Sequence, residues 1–582
     1  MDDTRVIARL PSGRLLLVGA LTSILAACQS LPPSSSSGPH PGAGKEKTVS
    51  KPAPHGDRAQ QGIYAFLAAE MAMQEGQLGT AADWYARTAR ITGHSALFEH
   101  AVEAALQAQK GKKAESYASQ WRKEAPDQPG PLFALARARL LQNQEGKALE
   151  AMEALVKKFP RSDHLYLEAG ERMAQAGGVS SAVQVLRQTA EGNPHNAAAQ
   201  LAYGHLLARL DQQEEAAKYL RRALKLRPDW EAAAVELART RKVSEGMEIL
   251  RRFIADHPEA HRARLHYAQA LLATGQSAGA EKVYEALVQK GSATTPELMG
   301  LGLARIQQEE WKGARTTLQR VLKQDPGNNE ALFYLGQVSE ALNDHSAASD
   351  YYSRVSGGKY LEQARMQEAV VAVKMGDLQR ALQLIREMRS FHPDEPEYYR
   401  LEARILSEMD QFKAAEQVAT QGLQADPGNK DLLYTRAFVR EQRGDYTGME
   451  ADIREVIQDH PKEARAYNFL GYSLADRGVR LREALHLIQQ ANKLEPGQGY
   501  ILDSLGWVYF RLGRLHKAES YIRQALEKSD QDAEVLAHLG EVLEAQGRKG
   551  EAQQAWRKAL KRADQGSPLA RELRRRLDGQ GS

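Results

Sequence analysis

A small residue recurs along this chain at a nearly fixed interval, and that interval limits the fold more than any other feature. It stands at Ala81, Ala114, Ala148, Ala182, Ala216, Gly246, Ala280, Ala314, Ala348, Ala381, Ala415, Met449, Ala484, Ala518 and Ala552. Ten of the fourteen spacings are 34 residues, and the others are 33, 30, 33 and 35. A proline follows twelve residues later at Pro126, Pro160, Pro194, Pro228, Pro258, Pro326, Pro393, Pro427, Pro461 and Pro496. A glycine precedes by twelve residues (thirteen once) at Gly170, Gly204, Gly302, Gly336, Gly471, Gly506 and Gly540. A fixed period of this length marks a stack of identical supersecondary units.

Residues 499–530 show the unit physically. Leu502, Leu505, Gly506 and Tyr509 make one stripe of an amphipathic helix, and Gly513 breaks it into a turn. Ala518, Ile522 and Ala525 make a second stripe. Gly506 and Ala518 are small where the two helices must cross closely. The prolines end each second helix, because proline cannot continue a helix interior. Each pair leaves an apolar face that only the next pair can bury. This pattern resembles the tetratricopeptide repeat, TPR, and implies an all-α, superhelical solenoid of about fifteen helix-turn-helix repeats over residues 62–564. The spacing of 30 between Ala216 and Gly246 deletes about one helical turn, so one helix should be short. Ser292 and Tyr360 replace prolines, and residues 290–295 and 356–358 are candidate bends. Residues 565–582 hold a final capping helix, at 568–577, and a tail; its arginines read as a solvated outer face.

The start of the chain has a different character. Arg5, Arg9 and Arg14 precede a short apolar run at residues 15–24, too short for a mature membrane span. The run leads into Leu25-Ala26-Ala27-Cys28. This resembles the lipobox of bacterial lipoproteins, in which the signal, here residues 1–27, is removed and the cysteine is acylated. Cys28 is the only cysteine of the 582 residues, so an internal disulfide framework and a multi-cysteine zinc site are excluded. Gln29 in place of aspartate implies the outer membrane, with the body facing the periplasm. Residues 28–61 hold the lipidated cysteine and a Pro/Ser/Gly-rich tether whose composition predicts disorder.

Composition narrows the function. Lys and Arg number 78 against 74 Asp and Glu, a balance that speaks against a dedicated nucleic-acid binder. No nucleotide, zinc-protease or nucleophile-elbow motif occurs in a usable context. His538 and Glu541 are three apart, but two ligands without a third read as structural. Asp503-Ser504 has no histidine in its own repeat. No catalytic residues, metal site or cofactor are expected, and binding remains.

In TPR proteins helix A positions 2, 5, 9 and 12 line a concave groove. That register implies Tyr434 and Phe438 in one unit, Arg465, Asn468 and Tyr472 in the next, and Tyr500, Asp503, Trp507 and Phe510 in the third. Arg400 and Arg404 line the preceding unit beside Glu397. The aromatics are expected to be exposed on the concave wall and to meet a partner; the alternative is packing on adjacent turns. The motifs Phe469-Leu470-Gly471-Tyr472, Asp503-Ser504-Leu505-Gly506-Trp507 and His538-Leu539-Gly540-Glu541-Val542 resemble the ending of a group of Gram-negative outer-membrane repeat lipoproteins. A member of that group is an adaptor that holds a periplasmic carboxyl-terminal processing protease and presents cell-wall hydrolases to it. The resemblance implies these partners here, together with the membrane through the lipid anchor. An outer-membrane assembly or exopolysaccharide-export scaffold is the second reading, and a cell-wall enzyme the third.

Overall fold

A computed structural model describes residues 58–289, 293–528 and 532–578. The expected signal, Cys28 and the tether up to residue 57 lie outside these residues, as does Ser292. Among the described residues there are 31 α-helices, one 3-10 turn and no strand. They form two compact units, which part in sequence between Gln324 and Asp325.

The N-terminal unit consists of eight helix pairs: α1 (Arg58–Gln74) and α2 (Leu78–Thr92), α3 (Leu97–Gln107) and α4 (Gly111–Glu124), α5 (Gly130–Leu140) and α6 (Glu145–Lys158), α7 (Asp163–Gly177) and α8 (Val179–Gly192), α9 (Ala197–Arg209) and α10 (Gln213–Leu226), α11 (Glu231–Arg239) and α12 (Val243–Asp256), α13 (His261–Ala273) and α14 (Ser277–Gln289), α15 (Thr295–Gln307) and α16 (Trp311–Gln324). The C-terminal unit has seven more pairs: α17 (Asn329–Ala341) and α18 (His345–Ser353), α19 (Leu361–Lys374) and α20 (Leu378–Phe391), α21 (Pro396–Glu408) and α22 (Phe412–Ala425), α23 (Lys430–Gln442) and α24 (Tyr446–Asp459), α25 (Ala464–Asp476) and α26 (Leu481–Leu494), α27 (Gly499–Arg511) and α28 (Leu515–Lys528), α29 (Ala533–Ala545) and α30 (Lys549–Arg562). A single helix, α31 (Pro568–Asp578), follows them. Within each unit nearly every helix packs on its successor, α6 packing on α8 instead of α7, and several first helices also touch the first helix of the next pair, as α5 touches α7 and α25 touches α27. This is the all-α repeat fold that the period predicts.

The two helices of a pair are buried differently. In α27 every residue from Ile501 to Tyr509 is buried, because its own pair and the neighbouring pairs cover it on several sides. In α28 only Ala518, Ile522 and Ala525 are buried, the stripe that the sequence marks. A side chain on Gly506 would place its Cβ 2.3 Å from Ile522 Cγ1 and 3.1 Å from the Ala518 carbonyl oxygen. The glycine slot is therefore a point of contact between helices, and any larger residue there must push them apart. Gly513 takes a left-handed φ of 74° in the turn between the two helices, a region that favours glycine.

Departures from the period have local explanations. The missing turn falls in α11, which has nine residues, and Gly246 fits where an added Cβ would lie 2.5 Å from the Ala238 carbonyl oxygen. The extra residue of the 35-residue spacing falls in the turn before α26, where Arg480 adopts a left-handed φ of 48°. Its guanidinium there pairs with Glu450 across the repeat boundary. Tyr360, in a proline slot, ends a short 3-10 turn and fills core space. Its ring stacks on Phe333 at 5.0 Å, and its hydroxyl donates to Glu330 at 2.6 Å. Of the stretch 290–295, the described part includes Thr294, which caps α15 reciprocally with Glu297.

Candidate partner-binding face

The residues that the register assigns to the groove lie on α21, α23, α25 and α27, the first helices of four successive pairs. Arg400 is half-buried and donates to Glu397 one turn back at 2.7 and 2.5 Å. Arg404, also half-buried, lies near Glu408, whose carboxyl burial pushes up against the opposing pull of that arginine. Tyr434 is only 6% exposed, and the Arg465 guanidinium lies 4.8 Å over its ring. Burial holds its phenol well above the ordinary range. Phe438 is half-buried against the core beneath α21 and α22. Asn468 is fully buried, and neither atom of its amide has a hydrogen-bond partner. Leaving such atoms unpaired costs about 1–3 kcal/mol each.

The next two pairs close over one another. Trp507 is 6% exposed and stacks on the His538 ring at 4.3 Å and 26°. Its indole Nε1–H donates to Asp476 at 3.2 Å, and Phe510 lies 5.1 Å from it. Asp503 is buried, with both carboxylate oxygens 3.0 Å from His538 Nδ1. Burial disfavours the imidazolium, but the Asp503 carboxylate outweighs it, so His538 sits above its ordinary value of 6.5. Tyr472 is half-buried, and burial raises its phenol. Tyr500 remains 38% exposed, and burial of its other face pushes its phenol up to about 12.

The expected exposure of the aromatics therefore fails at Tyr434 and Trp507. At these two positions the covering side chains come from the next repeat: the Arg465 guanidinium lies over the Tyr434 ring, and His538 stacks on Trp507. What stays accessible is the rim. Arg465 and Tyr500 are exposed, and Phe438, Tyr472, Phe510, Arg400 and Arg404 are half-open.

Asp503, for which the sequence offers no histidine in its own repeat, finds one in His538. That histidine stands 35 residues on, one period plus one. In a repeat array, lateral partners lie one period away. Arg137 obeys the same rule in the N-terminal unit, donating at 3.0 Å to Glu103, 34 residues before it, and Arg172, 69 residues after Glu103 and so two periods away, also pairs with that carboxylate. Among the described residues the hydrogen bonds of the His538 ring go to Asp503. The neighbouring Ser504 hydroxyl donates to the Tyr500 carbonyl oxygen at 2.9 Å, one turn back. Among the described residues no group of three or more His, Cys, Asp or Glu could hold a metal ion.

Comparison with known proteins agrees with this architecture. The tetratricopeptide repeat matches at residues 167–229, 231–293, 299–357 and 504–573, and a second repeat type of the same description at 132–162. A TPR repeat-containing protein of Pseudomonas aeruginosa is 33% identical over 519 residues, covering 86% of this chain and 85% of the relative. The chain belongs to the tetratricopeptide repeat family. Among solved structures, a tetratricopeptide repeat protein from Parabacteroides merdae aligns with 49% of this chain and 97% of its own, at 17% identity and a TM-score of 0.35. The APC/C hetero-tetramer Cut9-Hcn1 aligns over 89% of this chain and 97% of its own, at 14% identity and a TM-score of 0.34. TPR arrays generally mediate protein–protein interaction.

Proposed function

We propose that this TPR protein is a lipid-anchored scaffold at the outer membrane, facing the periplasm. In this reading it holds a periplasmic carboxyl-terminal processing protease and presents cell-wall hydrolases to it. The observation that carries the scaffold reading is the composite rim of the C-terminal unit. Arg465 and Tyr500 are exposed there beside half-open Phe438, Tyr472 and Phe510. Arginine and aromatic side chains held on a rigid core are the residues that most often dominate binding energy. The identity of the partners comes from the likeness of the C-terminal motifs to adaptor lipoproteins. The anchor comes from the sequence ending in Cys28.

The mechanism is one of concentration. A protease alone in the periplasm meets dilute substrates, whereas two partners on one array meet at up to about millimolar effective concentration. No proton transfer or bond cleavage is assigned to this chain. Reconstitution tests the proposal: the full-length protein alone should leave cell-wall hydrolases intact, and adding it to the protease should accelerate their degradation. Equal rates with and without it would remove the adaptor role and favour an outer-membrane assembly scaffold.

A further inference from the structure

The helix that begins the array is built inside out. Toward α2 it turns Gly62, Ala65, Ala69 and Ala72, which are buried. Ile63, Leu67 and Met71 are exposed by 62, 55 and 61%, and Tyr64 and Phe66, exposed by 47 and 39%, flank them with their rings against Trp84 and Tyr85 of α2. Of the thirteen large apolar side chains that the described residues expose, five sit on this one helix of 17 residues, so the patch is not scatter. Between Arg58 and Glu70 the sequence has no charged residue. Water is a poor partner for such a face, and contiguous apolar surface of this kind marks a contact site.

We propose that the outward face of α1 lies on the surface of a lipid bilayer, in the interfacial region. Three observations select this occupant. First, the patch has the make-up of an interfacial helix. Tyr64 meets Trp84 edge to face at 5.9 Å, and the Arg87 guanidinium lies 5.1 Å over the Trp84 ring. Tyrosine and tryptophan with a flanking cation favour the headgroup boundary, where one end of the ring is apolar and the other wet. Second, α1 is 17 residues long, and no described helix is long and apolar enough to cross a membrane, so the helix lies on the surface rather than spanning it. Third, Cys28 stands 30 positions before Arg58. Even fully extended, 30 residues span no more than about 105 Å, which bounds the distance between α1 and the anchored bilayer. A lipid-modified residue and an interfacial helix are two membrane contacts, and two contacts hold a protein to a bilayer more stably than one. The inference rests on the lipid-anchor reading above for the nearness of the membrane.

The test uses two native methionines. Met71 lies in the patch, and Met375, 50% exposed, lies outside it. Full-length protein is reconstituted into phosphatidylethanolamine–phosphatidylglycerol vesicles and treated with chloramine-T, a charged oxidant. Sulfoxide formation is then followed residue by residue by mass spectrometry, which also reads whether Cys28 is acylated. Met71 should oxidise roughly tenfold more slowly than Met375, because susceptibility follows exposure. The double substitution Ile63→Glu and Leu67→Glu should bring the two rates together while leaving helicity unchanged. Acylated protein in which Met71 oxidises as fast as Met375 overturns the inference and leaves the anchor standing. Unacylated protein with Met71 still protected in added vesicles does the reverse, and unacylated, unprotected protein overturns both. Protection of Met71 that grows with the protein-to-lipid ratio assigns the face to a second copy and overturns the inference.

Discussion

The first helix, α1, puts glycine and alanine against its neighbour and Ile63, Leu67 and Met71 outside; the last, α31, buries Ala570 and Leu573 and exposes Arg571 and Arg575. Both terminate a stack of repeats, and a stack needs a polar outer face wherever it ends in water. The C-terminal end meets that need: Arg576 lies 5.6 Å over the Trp556 ring and donates to Glu572 at 2.9 Å. The N-terminal end does not meet it. The difference teaches that an end of a repeat array is not automatically a cap. Among the described residues one end is finished by charge, and the other presents an apolar face.

Four substitutions or conditions would break or sharpen this contrast. The largest effect should come from the finished end. Leu573 is 1% exposed in the core cluster that contains Trp556, and Leu573→Ala should cost about 2–5 kcal/mol locally. Hydrogen exchange should show α30 and α31 fraying while α1 is unchanged, since contacts in such arrays are between neighbours. Next, Ala69→Leu should overpack the α1–α2 contact and cost about 1–3 kcal/mol, read as faster exchange in those two helices. Smaller still, Leu67→Glu should change stability by no more than about 0.5 kcal/mol, because the side chain points away from the fold. A large loss in detergent-free solution would mean that the patch is core, and the contrast would fall.

The smallest effect concerns pH at the C-terminal end. His538 is raised above its ordinary 6.5 by Asp503 despite its burial. The pair therefore contributes stability that is fully present below pH 6.5 and is lost as pH rises through the folded value. Exchange in α27 and α29 should quicken on going from pH 6 to about 8 beyond the intrinsic rate, and Asp503→Asn should abolish the difference. The α1 end, where no side chain between Arg58 and Glu70 belongs to a type that ordinarily titrates between pH 6 and about 8, should show no such dependence.

These contrasts also mark what the sequence could tell. Fifteen pairs, the short helix at α11 and the small residues at the helix crossing were legible, because each repeats or breaks a period that one chain records fifteen times. The exposure of the groove was not. Register places Trp507 and Tyr434 on the inner side of their helices, but whether the next repeat covers them depends on how closely first helices approach, which no single repeat encodes. Asp503 and His538 were each visible, and their pairing was missed because the search stayed within one repeat. At α1, both stripes of the helix are apolar, so periodicity marks no inward face; the small one packs because close helix contact needs small residues.

The central claim is that one array holds two partners at once. Sedimentation velocity of the full-length protein with a protease variant lacking its nucleophile and with one cell-wall hydrolase measures this directly. The account predicts a three-component species, and Tyr500→Ala with Phe510→Ala on the rim should remove one partner while leaving helicity and the other partner in place. Binding of protease and hydrolase that is mutually exclusive, or no binding of either, would contradict it.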